Sequence, residues 1–431
     1  MLDNIFFWNK IDAITRKKIL LRPVARDQKL IRTTVKKIIS DVINFGDDAL
    51  LKYTELFDKK KIISFKVSEK KIFQSFKKMS INFKNAVLHA KRNIEIFHKA
   101  QVNPFIDIET QSGVNCKQII VPINSVGLYI PGGSASLFST VLMLSIPAII
   151  AGCKKIILCS PPPISDEILS VAYICNIFDI YQIGGSQAIA AMAFGTDSIP
   201  KVNKIFGPGN AYVTEAKLQV SQMLSGAGID MLAGPSEILI IADDFANPDF
   251  IASDLLSQAE HGADSQVILL TPSLKIVKSV IKSIQKQLNK LSRINILLES
   301  LKNSIFIITK DLLECVFISN LYGPEHLIIQ TNNFKDLIAH INNAGSIFLG
   351  PWSPESVGDY ASGTNHVLPT YGYTSRCSGL GLIDFQKRIT VQELTSSGLL
   401  NLSSTVTLLA EFEKMEAHKN AVLIRLKKLQ E

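Results

Sequence analysis

From residue 117 onward the chain repeats one pattern: a short apolar run, a turn rich in glycine or proline, then a segment with helical spacing. DIYQIGG leads into SQAIAAMAFGT, and KVNKIFGPGN leads into AYVTEAKLQVSQM. Parallel neighbouring strands can be joined only by a crossover, so strand, tight turn and helix in succession predict a parallel sheet covered by helices. KQIIVPINSVGLYIPGG, KKIILCSPPP, ILIIAD (238–243) and QVILLTPS supply further strands, and PDFIASDLLSQAEH and a stretch from about Leu274 further helices. With 431 residues, 47% hydrophobic and 19% charged, the chain can fill more than one core, and wholesale disorder is excluded.

Residues 1 to about 100 read as helices, with Asp12 as a cap, IRTTVKKIISDVINF ended by Gly46, and a further helical stretch from Val67. His89 and His98 lie there as single helix-face histidines, read as surface or satisfied groups. After Asp384 the chain returns to helix, ending in LLAEFEKMEAHKNAVLIRLKKL.

The formal charge of +8 and pI of about 9.0 invite a nucleic-acid reading. The excess, however, sits in scattered lysine pairs of the first hundred residues, with no interleaved aromatic repeat, so these read as solvated helix faces and no nucleic-acid partner is expected. The longest apolar stretch, 137–151, is short for a membrane span and is broken by Ser139, Ser145 and Pro147. The N-terminus carries no secretory pattern, and six cysteines without a CxxC pair read as reduced thiols. A cytoplasmic protein without membrane contact is expected.

Two glycine turns, Gly184-Gly185 and Gly207-Pro208-Gly209-Asn210, stand between a strand and a helix. Free N–H groups at such a helix start attract phosphate, yet neither turn fits GxGxxG or a P-loop; each alone reads as an ordinary connection, and only the two in adjacent units put a cofactor cradle on an equal footing. Gln258 and His261, three apart at a helix end, can meet one metal ion or merely close a helix before Gly262. Gly323-Pro324-Glu325-His326 sets a carboxylate beside an imidazole, which suits acid–base work or simply makes a polar loop. Asp359, His366 and His418 are further candidate ligands, scattered in sequence.

Taken together these segments resemble the histidinol dehydrogenase family, from LRPVARD at Leu21 to AHKNAV at Ala417. VGLYIPGG, GGSQAIAAMAFGT, FGPGNAYVTEAK, AGPSEILIIAD, SDLLSQAEHG, YGPEHL, SPESVGDYASGTNHVLPT and DFQKR carry the resemblance in order. It implies oxidation of L-histidinol through L-histidinaldehyde to L-histidine, the last step of histidine biosynthesis, with two NAD reduced and one zinc per subunit. The zinc ligands are then Gln258, His261, Asp359 and His418, the last carried by a C-terminal tail that reaches the partner subunit of a homodimer. These four, with Ser236, Glu413, Glu325 and His326, would surround the substrate, and His366 falls near them. Tyr129, Gln187 and Asn210 would contact NAD, His326 would be the general base, and Glu325 would activate water. Leu232 and the Ser375-Arg376 pair depart from the family pattern without touching a proposed ligand. No adjacent base or cation favours a thiolate at Cys153 if the lysines of its AGCKK turn face away, so a catalytic thiol at Cys116 or Cys153 is not expected.

The expected fold is α/β, with two doubly wound, incomplete Rossmann-like sheet domains and helical N- and C-terminal extensions. The resemblance divides the chain into a helical extension (1–25), a discontinuous first α/β domain (26–128 plus 238–380), an inserted second domain with the NAD turns (129–237), and a helical tail (381–431). Two rivals remain at this level. A zinc hydrolase would use the same ligands without a dinucleotide cradle, and a basic RNA-binding scaffold rests only on the lysine pairs.

Overall fold

The structure, a computed structural model, describes residues 4–23, 28–102, 105–132, 136–231 and 234–431. Leu232, Gly133 of VGLYIPGG and residues 24–27 of LRPVARD lie outside the described residues.

Two parallel sheets form the frame. In the five-stranded sheet the order is Ile180–Gln182, Lys155–Ser160, Ser125–Tyr129, Lys204–Phe206, Gly228–Ile229. In the six-stranded sheet it is Ile5–Phe7, Ile305–Ile308, Gln266–Thr271, Glu237–Ala242, His326–Gln330, Ser346–Leu349. Apart from the N-terminal edge strand, both follow one winding: the first strand lies at the centre, the next two to one side and the last two to the other. That is the doubly wound arrangement. Strand side chains alternate between faces, so an unbroken apolar run feeds two cores. Ile238 and Ile240 pack with Leu255 and Val280 on one face of the six-stranded sheet, while Leu239 and Ile241 pack with Val316 and Ile318 on the other.

Three expectations change. The first 25 residues are not wholly helical, because Ile5–Phe7 pairs in parallel with Ile305–Ile308 before the short helix Ala13–Ile19, which Asp12 caps through the Thr15 N–H (2.8 Å). The helices of residues 28–99 do not join the 238–380 sheet. Val35, Ile38 and Leu50 pack with Ile189 and Val213 on one face of the five-stranded sheet, and Ile72 and Ile94 pack with Leu142 and Leu169 on the other. Helical periodicity shows which face is apolar but not which sheet it covers. Finally, Gln386–Leu394 is a strand, antiparallel to Val114–Pro122, which also pairs with Ile106–Gln111 in a separate three-stranded sheet. Before that strand the tail makes one short 3-10 turn, Leu382–Phe385, and it becomes α-helical over Ser396–Phe412 and Glu416–Gln430.

Gly46 does interrupt its helix: at φ 49 and ψ −127 the chain kinks, then helix resumes to Tyr53. His98 is buried and satisfied by the Ile94 carbonyl (2.8 Å), while His89 faces solvent. No described helix is long and apolar enough to cross a membrane.

Candidate active site

Glu237 and His326 each begin a strand of the six-stranded sheet, and the register pairs His326 with Ile238, which sets the Glu237 peptide beside the imidazole. The turn ahead of His326 starts at Gly323, in a left-handed conformation (φ 61), and is pinned by Gly345 and Ser346 N–H groups on the Pro324 and Glu325 carbonyls (3.0 and 2.9 Å). Glu325 and His326 are consequently buried side by side, with Oε2 3.5 Å from Nδ1. The Glu237 N–H donates to Glu325 Oε2 (2.8 Å), and His326 Nδ1–H donates to the Glu237 carbonyl (3.2 Å). A proton on Nδ1 leaves Nε2 as the open nitrogen. That atom is buried, has no hydrogen-bond partner among the described residues, and faces Asp359 Oδ1 (3.7 Å) and Glu355 Oε1 (3.9 Å).

The helix Pro248–Ala259 runs back toward this edge and delivers Gln258 in its last turn, with His261 just beyond. Hydrogen-bonding sense assigns the Gln258 amide nitrogen toward the Glu355 carboxylate and its oxygen toward the Glu237 N–H (3.0 Å). On the short helix Glu355–Tyr360, Glu355 and Asp359 stand four apart and so share a face. Glu355 accepts from the Ser257 hydroxyl (2.8 Å), and Asp359 Oδ2 lies 4.0 Å from His261 Nε2. His261, Glu355 and Asp359 offer ligand atoms that all lie within 4.8 Å of one another.

Electrostatics here are those of a site short of positive charge. Burial pushes Glu355 up to about 8, with Asp359 and Glu325 adding repulsion against the pull of His326. Burial disfavours charge on His326, but Glu325, then Asp359 and Glu355, outweigh it and hold the imidazole well above its usual range; a divalent cation held by Asp359 would offset that pull and leave the ring neutral with Nε2 open. Burial also opposes the Asp359 charge, yet His326 and then His366 and His261 keep it below the usual carboxylate range. Crowded carboxylate oxygens beside the His261 imidazole fit a small divalent cation such as zinc.

His366 stands behind this cluster. Its Nδ1–H donates to the Asp359 carbonyl (2.9 Å) and its Nε2 meets Thr140 Oγ1 (3.1 Å), so it ties the Asp359 helix to the helix Phe138–Ala151. Burial lowers its pKa, in keeping with a neutral strut. The same link brings the cluster to the carboxyl end of the five-stranded sheet, where Tyr129 ends the central strand.

The two glycine turns meet around Tyr129. Its hydroxyl accepts from the Gly185 N–H (3.0 Å), and Ser186 Oγ donates to the Tyr212 carbonyl (2.9 Å), joining one turn to the helix after the other. Gly207 at φ 120 has no room for a side chain, since a Cβ would lie 2.1 Å from the Tyr129 carbonyl oxygen. Its N–H donates to Asp230 (2.7 Å) and its carbonyl accepts from Lys217 (2.9 Å); these two side chains form a buried ion pair. Asn210 caps the following helix through the Tyr212 and Val213 N–H groups (3.1 Å each). Gln187 is 1% exposed, yet neither amide atom has a partner among the described residues. An ordinary connection has no need of such a group, whereas a ligand over the turn would satisfy it.

Gln258, His261, Glu325, His326 and Asp359 therefore converge, with Ser236 adjoining Glu237 at the same edge. Glu413 and His418 do not: both are exposed on the tail, and the described metal-competent group omits His418. Sequence reading missed Glu355, although its i, i+4 spacing from Asp359 was the available signal. One turn before Gln258 on the same helix, burial pushes the Asp254 carboxyl up to about 7, with Gln330 Nε2 donating to it at 3.0 Å. Burial raises the Cys153 thiol to about 11, which disfavours a thiolate there. Ser375 and Arg376 are exposed, the latter over the Tyr373 ring.

A family model described as histidinol dehydrogenase matches residues 21–426. The histidinol dehydrogenase of Buchnera aphidicola subsp. Acyrthosiphon pisum (strain APS) is 62% identical over 423 residues, covering 98% of this chain and 97% of that one. That of Escherichia coli (strain K12) is 57% identical over 429 residues, covering 100% and 99%. The crystal structure of histidinol dehydrogenase from Elizabethkingia anophelis superposes with a TM-score of 0.94 at 47% identity, over 99% of this chain and 98% of that one.

Proposed function

Because the chain belongs to the histidinol dehydrogenase family, an oxidoreductase family, we propose that it oxidises L-histidinol to L-histidine through L-histidinaldehyde, the last step of histidine biosynthesis. The observation that carries the reading is the open Nε2 of His326, buried beside Glu325 at the mouth of the Gln258–His261–Asp359 group. That nitrogen takes the hydroxyl proton of the alcohol as the carbon is oxidised. NAD supplies the hydride acceptor in each of the two oxidations, so two NADH leave per histidine made. Between them, the Glu325 carboxylate draws a proton from water as its oxygen adds to the aldehyde carbon, and His326 returns the proton it took to the former carbonyl oxygen, giving the hydrate and a neutral imidazole. His326 then accepts the hydrate's proton in the second oxidation.

Gln258, His261 and Asp359, completed by His418 from the tail of a second copy, would hold one zinc ion, with Glu355 behind Gln258. An ion held there would supply a fixed positive charge that orients the substrate. Ser236, and Glu413 of that second tail, would line the substrate. Tyr129, Gln187 and Asn210 would contact NAD, and the unsatisfied Gln187 amide favours this over a zinc hydrolase. A homodimer follows from the shared site, and the six free thiols suit the reducing cytoplasm.

Purified protein should form two NADH for each L-histidinol consumed; a stoichiometry of one, or no histidinol-dependent NADH, would overturn the proposal. His261→Asn should lower zinc per chain, read by elemental analysis, together with activity. Unchanged zinc content in that variant would remove His261 from the ligand set.

A further inference from the structure

We infer that Arg22 is a positioning residue for the Glu325–His326 turn, acting through Glu237 to fix which imidazole nitrogen of His326 stays open. The inference rests on the proposed roles of Glu325 and His326. Arg22 touches neither of them. Its guanidinium forks onto the Glu237 carboxylate, Nε to Oε1 at 2.9 Å and Nη2 to Oε2 at 3.1 Å, and Nη2 also donates to the carbonyls of Tyr322 (2.6 Å) and Gly323 (3.1 Å). One side chain thus holds both segments whose relative placement defines the pair. Glu237 begins the strand whose N–H binds Glu325 and whose carbonyl binds His326 Nδ1, while Tyr322 and Gly323 lead into the turn that carries both residues.

The clamp is closed on every side. The guanidinium lies over the Tyr322 ring, 3.8 Å from its centroid, and the Tyr371 N–H donates to Glu237 Oε1 (2.8 Å). Tyr322 donates its hydroxyl to Gln266 (2.8 Å), whose amide donates back to the Leu21 carbonyl (3.3 Å). The Glu237 side chain is 1% exposed and that of Arg22 14%, so the pair is nearly removed from water. A buried ion pair is seldom the most stable choice against apolar packing. Its gain here is geometric: a planar fork sets distance and angle at once, which an ammonium point charge does not. The Glu237 carbonyl, with Glu325 Oε2 at 3.5 Å, keeps the imidazole proton on Nδ1 and Nε2 open, and a shift of the Glu237 peptide, which also holds that carboxylate through its N–H, loosens both constraints on the choice of nitrogen.

The test compares Arg22→Lys, Arg22→Met and Glu237→Gln in the full zinc-loaded protein. In Arg22→Lys, kcat should fall roughly 10- to 100-fold, the scale expected for misplaced reacting groups, with KM for histidinol within about twofold and zinc per chain unchanged. The ¹⁵N spectrum of the neutral His326 ring, assigned by loss of its signals in His326→Asn, should change from the Nδ1–H form alone to a mixture of both tautomers. Glu237→Gln, which keeps one acceptor for Arg22 and the same peptide groups, should lose less than Arg22→Met. Wild-type kcat in Arg22→Lys, or a lowered kcat with the Nδ1–H form intact, would overturn the inference. So would a loss confined to KM or zinc content. Should Arg22→Met not fold, Arg22→Lys and Glu237→Gln carry the comparison, and equal activity in all folded forms again overturns it. The tautomer measurement needs no turnover, so a wild-type protein silent toward histidinol would refute the proposed function while leaving this test standing.

Discussion

His326→Asn is expected to lower single-turnover NADH formation by roughly 10²–10⁴-fold with either histidinol or histidinaldehyde as substrate, the range for removing a general base. Both oxidations release a proton from an oxygen, and His326 is the one described residue to present an unpartnered, buried ring nitrogen to receive it. Asparagine keeps a donor toward the Glu237 carbonyl but has no comparable basicity, so the loss belongs to the chemical step rather than to the fold. Glu325→Gln should behave differently. The amide oxygen can still accept from the Glu237 N–H, which Glu325 Oε2 now does at 2.8 Å, so the turn keeps its shape. What is lost is the carboxylate that activates water, a demand of the aldehyde step alone. Glu325→Gln should thus impair oxidation of supplied histidinaldehyde more than the first NADH from histidinol. Equal losses for the two substrates would sink this division of labour, and near wild-type rates in both variants would remove the turn from the mechanism.

The βαβ texture is legible in the sequence because each strand there is buried on both faces: ILIIAD needs no alternation, and its glycine- and proline-rich neighbours mark the crossovers. The strand Gln386–Leu394 is not legible in the same way. It is mostly exposed, and its pairing partner, Val114–Pro122, lies far away in sequence, so nothing local distinguishes QKRITVQEL from a polar lead into a helix. Site residues divide along the same line. Glu325 and His326 are adjacent, and Gln258 and His261 share a helix end, so their proximity is local. Arg22 and Glu237 are 215 positions apart and meet only because the N-terminal strand docks on the sheet edge and brings Leu21 beside Gln266. Glu355 is a middle case: SPES reads as a loop, and only the short helix after Pro354 turns its spacing from Asp359 into a shared face.

The C-terminal tail carries the second large effect. Along the helices Ser396–Phe412 and Glu416–Gln430, Leu400, Leu408, Leu409, Phe412 and Ile424 are exposed, Phe412 by 80%, so this hairpin presents an apolar face that its own chain leaves uncovered. Exposed apolar surface of this extent marks an interface. His418 and Glu413 lie on the same hairpin, away from the Gln258–His261–Asp359 group they would complete. Both observations are met at once if the tail docks on a second copy. His418→Asn alone should then be nearly inactive, as should Glu325→Gln/His326→Asn, each for a different missing part. Exchanging the two inactive proteins should restore activity, because a mixed dimer joins one intact site body to one intact tail while its other site lacks both. With random exchange, half of the dimers are mixed and half of their sites are whole, so recovery should approach about a quarter of wild-type activity in a closed two-fold dimer. The measurement is histidinol-dependent NADH formation after exchange, with mixed dimers counted by native mass spectrometry of differently tagged chains. Mixed dimers without recovery would mean that each site is built within one chain, and the tail's apolar face would then have to serve contacts that leave His418 and Glu413 out of the chemistry.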